Sequence, residues 1–146
     1  MTADKGFNFP SGFPPDPGEA GKKSLEGIDS DHDGLRDDIQ RWIYARFPNE
    51  PKKRATLKQL AIIHQKMLFL TLDSKEIDLA LSRSEKASRC LFDTFSDPLE
   101  AYDEGRYIES KILNTKERIK RHLEVDRWFD GKTSKSYPKD GTACEY

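Results

Sequence analysis

The sequence predicts an all-α protein, built as a small bundle of about four to five helices behind an extended N-terminal arm. From residue 37 onward, apolar residues recur every three or four positions, which is the spacing of a helix that buries one face. Prolines and capping residues interrupt this pattern and divide it into separate helices. No stretch alternates apolar and polar residues over a useful length, so we expect essentially no β-sheet.

The chain has 146 residues, the length of one ordinary domain, and we divide it into an arm over residues 1–24 and a helical domain over residues 25–146. The arm contains four prolines and four glycines, a composition that sustains neither a helix nor a central strand. It is therefore predicted to be a flexible arm or tether. Its aromatic residues leave two interpretations open, docking on the domain or docking on a partner: Phe7, Phe9 and Phe13.

Two helices are predicted in the first half of the domain. The first covers residues 37–47 and ends before Pro48, because a proline disfavours helical backbone in the residue that precedes it. The second covers residues 51–72 and opens on Pro51, whose fixed φ suits the first helical turn. Apolar side chains widen the face of this second helix, so we expect it to be central in the bundle.

Capping residues predict where the later helices begin. Asp73 followed by Glu76 resembles a capping box, which places the start of a third helix at residue 73 or 74. Asp97 followed by Pro98 combines a cap with a proline at the first helical position, and opens a fourth helix. Asn114 indicates either a further capped start or only a kink.

Charge and hydropathy exclude two classes of partner. The formal net charge is −1, so the chain has no overall field that attracts nucleic acid or acidic membranes. No apolar run approaches the ~20 residues that a membrane-spanning helix needs. No signal peptide is visible, and we favour a leader that has been removed over a cytoplasmic protein, because the arm is typical of a tether that follows a cleaved leader.

The two cysteines, Cys90 and Cys144, are 54 residues apart and fit no zinc-binding spacing. In an oxidising compartment they are predicted to form a disulfide, and the alternative is two free thiols.

Residues 29–40 carry the pattern of a loop that binds a divalent cation. Carboxylates stand at loop positions 1, 3, 5 and 9, with a glycine at position 6 and an apolar residue after it. A hard cation such as calcium needs six to eight oxygen ligands, and alternate residues of a tightly turned loop can all point inward. The residues of the pattern are Asp29, Asp31, Asp33, Gly34, Leu35 and Asp37.

These residues resemble the EF-hand-like loops of thrombospondin type 3 repeats and of similar bacterial calcium modules. The recurring form of those loops is Asp-x-Asp-x-Asp-Gly-hydrophobic-x-Asp. The resemblance covers 12 of the 146 residues, so it implies a ligand, Ca²⁺, without implying a biological task. It places a calcium loop before the first helix. The predicted ligands are the side chains of Asp29, Asp31, Asp33, Asp37 and Gln40, with the carbonyl oxygen of Leu35.

Gln40 departs from the usual loop, whose last position is a Glu that binds the ion through both oxygens. A glutamine offers one neutral oxygen, so the affinity is expected to be lower. The missing contact could come from Asp37, from Asp38, from a distant carboxylate or from water. An acidic helix N-terminus without any metal would explain Asp37 and Asp38, but not the alternation of aspartates before the glycine.

Other groups of residues give weaker indications of a functional site. The three histidines do not have the i, i+4 spacing of a zinc-binding helix, and His64 is expected to be a partly buried core residue. Basic runs at residues 52–54 and 116–127 are interpreted as solvated helix faces with salt bridges. No catalytic group of residues can be assembled.

The sequence therefore favours a calcium-binding, non-enzymatic helical domain of a bacterial envelope or secreted protein, in which calcium is structural. Calcium outside the cell is about millimolar and would fill even a weak site of ~10⁻⁴ M, which favours a periplasmic or extracellular location. Two alternatives are an inhibitor or immunity-type protein that binds a secreted enzyme, and a calcium-dependent enzyme. A protein partner and a membrane tether through a removed N-terminal leader stay open.

Overall fold

The computed structural model describes residues 6–133 and 136–146, and within them five α-helices and no strand. The helices are α1 (Asp37–Arg46), α2 (Pro51–Met67), α3 (Ser74–Thr94), α4 (Pro98–Ile112) and α5 (Lys116–Phe129). A short 3-10 helix, Gly18–Lys22, precedes them. The predicted fold class, a small all-α bundle, is confirmed. No helix in the described part of the chain is long and apolar enough to cross a membrane.

α2 is the central helix, as its wide apolar surface predicts, and it packs against α1, α3 and α4. α5 lies at the edge of the bundle, where its main contacts are with α3. The core is built from aliphatic and aromatic side chains of the first four helices and of the residues that directly follow them, among them Ile39, Ile43, Leu57, Leu60, Leu91, Phe95, Ala101 and Ile108.

Local caps explain most helix starts. The Asp73 carboxylate accepts a hydrogen bond from the Glu76 amide at 3.0 Å, and the Asp97 carboxylate accepts one from the Leu99 amide at 2.9 Å. Both starts were predicted. The start of α5 needs a correction, because Thr115 and not Asn114 is its cap. The chain makes a true break before α5, and the Asn114 side chain is used for a long-range contact described below.

The end of α2 also differs from the prediction. The helix ends at Met67, not at residue 72, and its last turn tightens as the Leu68 amide donates to the Gln65 carbonyl. The guanidinium of Arg121, on α5, then binds the carbonyl oxygens of Leu68 and Leu70 at 2.9 and 2.5 Å. The hydrogen-bond donor for these carbonyls therefore comes from another helix. The apolar periodicity of residues 51–72 cannot predict such a contact.

The described part of the arm packs on the helical domain. Phe7, Phe9 and Phe13 surround the Tyr44 ring of α1 at centroid distances of 5.0–6.1 Å. Arg41 lies over the Phe9 ring at 3.9 Å. Of the two interpretations for these phenylalanines, the structure shows docking on the domain. The division of the chain at residue 24 stays a prediction.

Two buried arginines hold the end of the arm. Arg118, with 0% of its surface exposed, donates to the carbonyl oxygens of Gly21, Ser24 and Leu25 at 2.7, 3.0 and 3.3 Å. Burial, and then the charge of the neighbouring Arg36, lower the pKa of Arg118, so its hydrogen bonds offset the cost of a buried charge.

Arg36, 2% exposed, shares an acceptor with Arg118. Both guanidiniums donate to the Oδ1 atom of Asn114, at 3.2 and 2.5 Å. Gly27 passes so close that an added Cβ would lie 3.0 Å from each arginine side chain, and its φ of +69° lies in the left-handed region. Glycine is therefore required where the chain crosses these arginines.

The last residues form a strap, residues 136–146, across α2 and α3. A disulfide joins Cys90 of α3 to Cys144, as predicted. The amide of Gln59, on α2, donates to the Ala143 carbonyl at 3.0 Å and its oxygen accepts from the Glu145 amide at 3.1 Å. The disulfide attaches the strap to α3, and the Gln59 side chain attaches it to α2 through both ends of its amide.

We expect Arg118→Met to lower the free energy of unfolding by about 2–4 kcal/mol, because it leaves the buried Gly21 carbonyl, and the partly buried bonds of Ser24 and Leu25, without their donor. Arg127→Met, the same change at an exposed position of α5, should stay within about 0.5 kcal/mol of the wild type. Urea denaturation measures both. Equal effects of the two substitutions would contradict the anchoring role of Arg118.

Reduction of the Cys90–Cys144 disulfide should lower the free energy of unfolding by about 4 kcal/mol, since it opens a closed loop of 54 residues in the unfolded chain. The double variant C90S/C144S should show the same loss without reductant. Thiol titration of unfolded, unreduced protein provides the check, and two free thiols there would contradict the bridge.

Candidate metal centre

The predicted calcium loop folds back on itself directly before α1. The amide of Asp37, the first residue of α1, donates to the Ile28 carbonyl at 2.8 Å and closes the loop. Two residues inside it adopt left-handed backbone, His32 with φ 56° and Gly34 with φ 89°. A non-glycine residue at positive φ is uncommon, so the reversal of the chain here is a specific feature of the loop.

Three of the predicted ligands come together. Carboxylate oxygens of Asp29, Asp31 and Asp37 lie within 4.8 Å of one another. Asp37 is only 1% exposed, and its two oxygens accept hydrogen bonds from the Ser30 amide at 3.1 and 3.2 Å. Within the described part of the chain, no lysine or arginine forms an ion pair with any of the three.

Backbone amides orient the first of these carboxylates. The two oxygens of Asp29 accept from the amides of Asp33 and Gly34, at 3.2 and 2.9 Å. The aspartate at position 1 therefore organises the turn that carries positions 5 and 6.

Asp31 is bound by the side chain of Gln40, whose Nε2 donates to it at 3.0 Å. This hydrogen bond is the main reason that the pKa of Asp31 lies below its usual value. The other end of the same amide, the Oε1 of Gln40, is buried and has no hydrogen-bond partner among the described residues. An unsatisfied oxygen thus lies next to the acidic cluster, at loop position 12, where the last ligand of such a loop is expected.

Asp33 is not part of the cluster. One of its oxygens accepts from the Leu35 amide at 2.9 Å, and the other binds the ammonium of Lys58, on α2, at 2.9 Å. The sequence offered no signal for this pair, because Lys58 lies 25 residues beyond Asp33 on another helix.

Leu35 and Asp38 attach the loop to the bundle. The Leu35 side chain is 1% exposed in the core, and the role of its carbonyl oxygen as a ligand stays a prediction. Asp38 forms two hydrogen bonds with Arg36, at 2.9 and 2.7 Å. Because that carboxylate is already paired with Arg36, it is a less favourable source of the missing calcium contact than Asp37 or water.

The donor set fits calcium. Every ligand in the predicted set is an oxygen, from carboxylates, an amide and a carbonyl, and the loop supplies no sulfur ligand. Hard cations of this kind are bound by oxygens alone. His32 is exposed, and His64 is half-buried on α2, where burial lowers the pKa of its imidazole.

Comparison of this chain with protein-family models, with curated proteins and with solved structures finds no match.

Proposed function

We propose that this protein is a calcium-binding, non-enzymatic helical domain of a bacterial envelope or secreted protein, and that calcium stabilises its loop. The observation that carries the proposal is the convergence of the Asp29, Asp31 and Asp37 carboxylates within 4.8 Å, without a neutralising cation among the described residues. The spacing of the motif in the sequence points to the same ion.

Electrostatics support a bound cation. Two unit charges at this separation repel by roughly 3 kcal/mol at an effective dielectric constant of ~20, and by less where water reaches them. Asp37 is almost fully buried, so water screens its charge poorly. A divalent ion between the carboxylates would replace this repulsion by attraction.

A structural role follows from how the loop is attached. Gln65, on α2, accepts from the Arg36 amide at 2.9 Å and donates to the Gly34 carbonyl at 3.2 Å. The second half of the loop is thus fixed to the bundle. An ion bound by Asp29 and Asp37 would join the segment after the arm to the start of α1, and would order the turn between them.

The disulfide supports the proposed location. Structural disulfides persist in oxidising compartments such as the bacterial periplasm and the cell exterior. Calcium there is about millimolar, which suits a loop whose last ligand is the neutral Gln40. A periplasmic or extracellular location is therefore the one we propose.

Calcium at 1 mM should raise the melting temperature of metal-stripped protein by about 3–6 °C, because a site of ~10⁻⁴ M would add about 1.4 kcal/mol by mass action. Asp29→Ala should remove this increase, since it deletes the position 1 carboxylate. Asp103→Ala, at an exposed aspartate of α4, is the matched control and should keep it. Differential scanning calorimetry with and without calcium measures the shift, and its absence in the wild type would exclude the proposal.

Hydrogen exchange should show that the effect of calcium is local. Without the ion, carboxylate repulsion is expected to fray the start of α1, while α2, α3 and α4 keep their own packed faces. Protection should change within about residues 25–45 only. Large changes across α2 to α4 would indicate a calcium switch and not a structural ion.

A further inference from the structure

Lys58 is the one lysine or arginine in the described part of the chain that forms an ion pair with an aspartate of the loop motif. It reaches the loop from α2, and its ammonium lies 2.9 Å from the Oδ2 atom of Asp33. Asp33 holds position 5, where the motif places a calcium ligand.

The position of Asp33 differs from that of its neighbours in the motif. The carboxylates at positions 1, 3 and 9 converge, whereas that of Asp33 does not join them. Its Oδ1 is bound by the Leu35 amide, so Oδ2 is the oxygen that a metal would take, and Lys58 holds that oxygen.

We propose that Lys58 is an internal counter-cation that competes with calcium for Asp33 and so sets the calcium affinity of the loop. This inference rests on the proposed function. The Oδ2 atom of Asp33 must leave the ammonium to bind the ion, and an ammonium that stayed beside the loop would repel a divalent cation. Each calcium ion bound therefore has to break one ion pair.

Lys58 has room to move away from Asp33 when calcium binds. The Lys58 side chain is 44% exposed and that of Asp33 is 22% exposed, so the pair is solvated and weak. Lys58 also lines a cleft of about 240 Å³ between the arm, α1 and α2. The ammonium can therefore move into water or the cleft when Asp33 turns toward the metal, without repacking of the core.

Lys58→Met keeps the length of the side chain and removes its charge. We expect it to lower the calcium dissociation constant about three- to tenfold, because both the competing pair and the repulsion are lost. Lys58→Arg keeps the charge and should bind calcium no more tightly than the wild type. Lys52→Met, at an exposed position of the same helix, is the control for net charge and should stay within about twofold. Isothermal titration calorimetry at fixed ionic strength measures all four proteins.

A second background tests whether the competition acts through Asp33. In an Asp33→Asn protein the carboxylate is absent, so adding Lys58→Met removes only the solvent-screened repulsion between the ammonium and the ion, and should lower the dissociation constant by less than about twofold. A gain that is equally large with and without Asp33 would overturn competition for that carboxylate.

The two proposals fail in different ways. If neither the wild type nor Lys58→Met binds calcium, the proposed function is wrong and the role of Lys58 is wrong with it. If the wild type binds calcium and Lys58→Met binds it equally well or more weakly, only the role of Lys58 is overturned. Thermal melting without calcium checks that every variant is folded.

Discussion

The attachment of the arm and of the acidic loop to the helical bundle depends on the burial of two guanidiniums side by side. Arg36 and Arg118 have 2% and 0% of their surface exposed, and both bind the Oδ1 atom of Asn114. Like charges in such a place are costly unless every N–H group has an acceptor. The acceptors come from the end of the arm, from the last turn of α4 and from Asp38. Satisfying the arginines therefore fixes these segments relative to one another.

The burial of Arg36 also positions the candidate metal centre. Arg36 directly precedes Asp37, the buried member of the acidic cluster. Its guanidinium is held by the carbonyls of Lys111 and Ile112, and its amide by Gln65. Arg36 is thus held in place before any ion binds, and it limits how far the Asp37 carboxylate can move even when the first turn of α1 frays without the ion. Carboxylates that are already oriented lose little conformational freedom on binding, which favours affinity in a loop that lacks the usual final Glu.

Hydrogen-bond donors and one ammonium group of the protein itself already bind the carboxylates of the loop. Backbone amides bind Asp29 and Asp37, the Gln40 amide binds Asp31, and the Lys58 ammonium binds Asp33. Each contact offsets part of the repulsion among the carboxylates, so the folded loop does not depend on metal alone. Some of these contacts occupy oxygens that would bind the ion. The ion must replace them, and this lowers the calcium affinity. Partial internal neutralisation and a moderate affinity therefore have a common cause.

The sequence by itself determined the helices and the acidic composition of the loop, because both are encoded within short windows. Apolar periodicity and the caps Asp73 and Asp97 predicted where helices form. The alternating aspartates predicted that four carboxylates would come together, and three of them, Asp29, Asp31 and Asp37, do so. Only the tertiary structure decided the early end of α2, the use of Asn114 and the pairing of Asp33 with Lys58. These contacts join residues on different elements, and no local pattern reports which distant donor will reach a given oxygen once the helices pack.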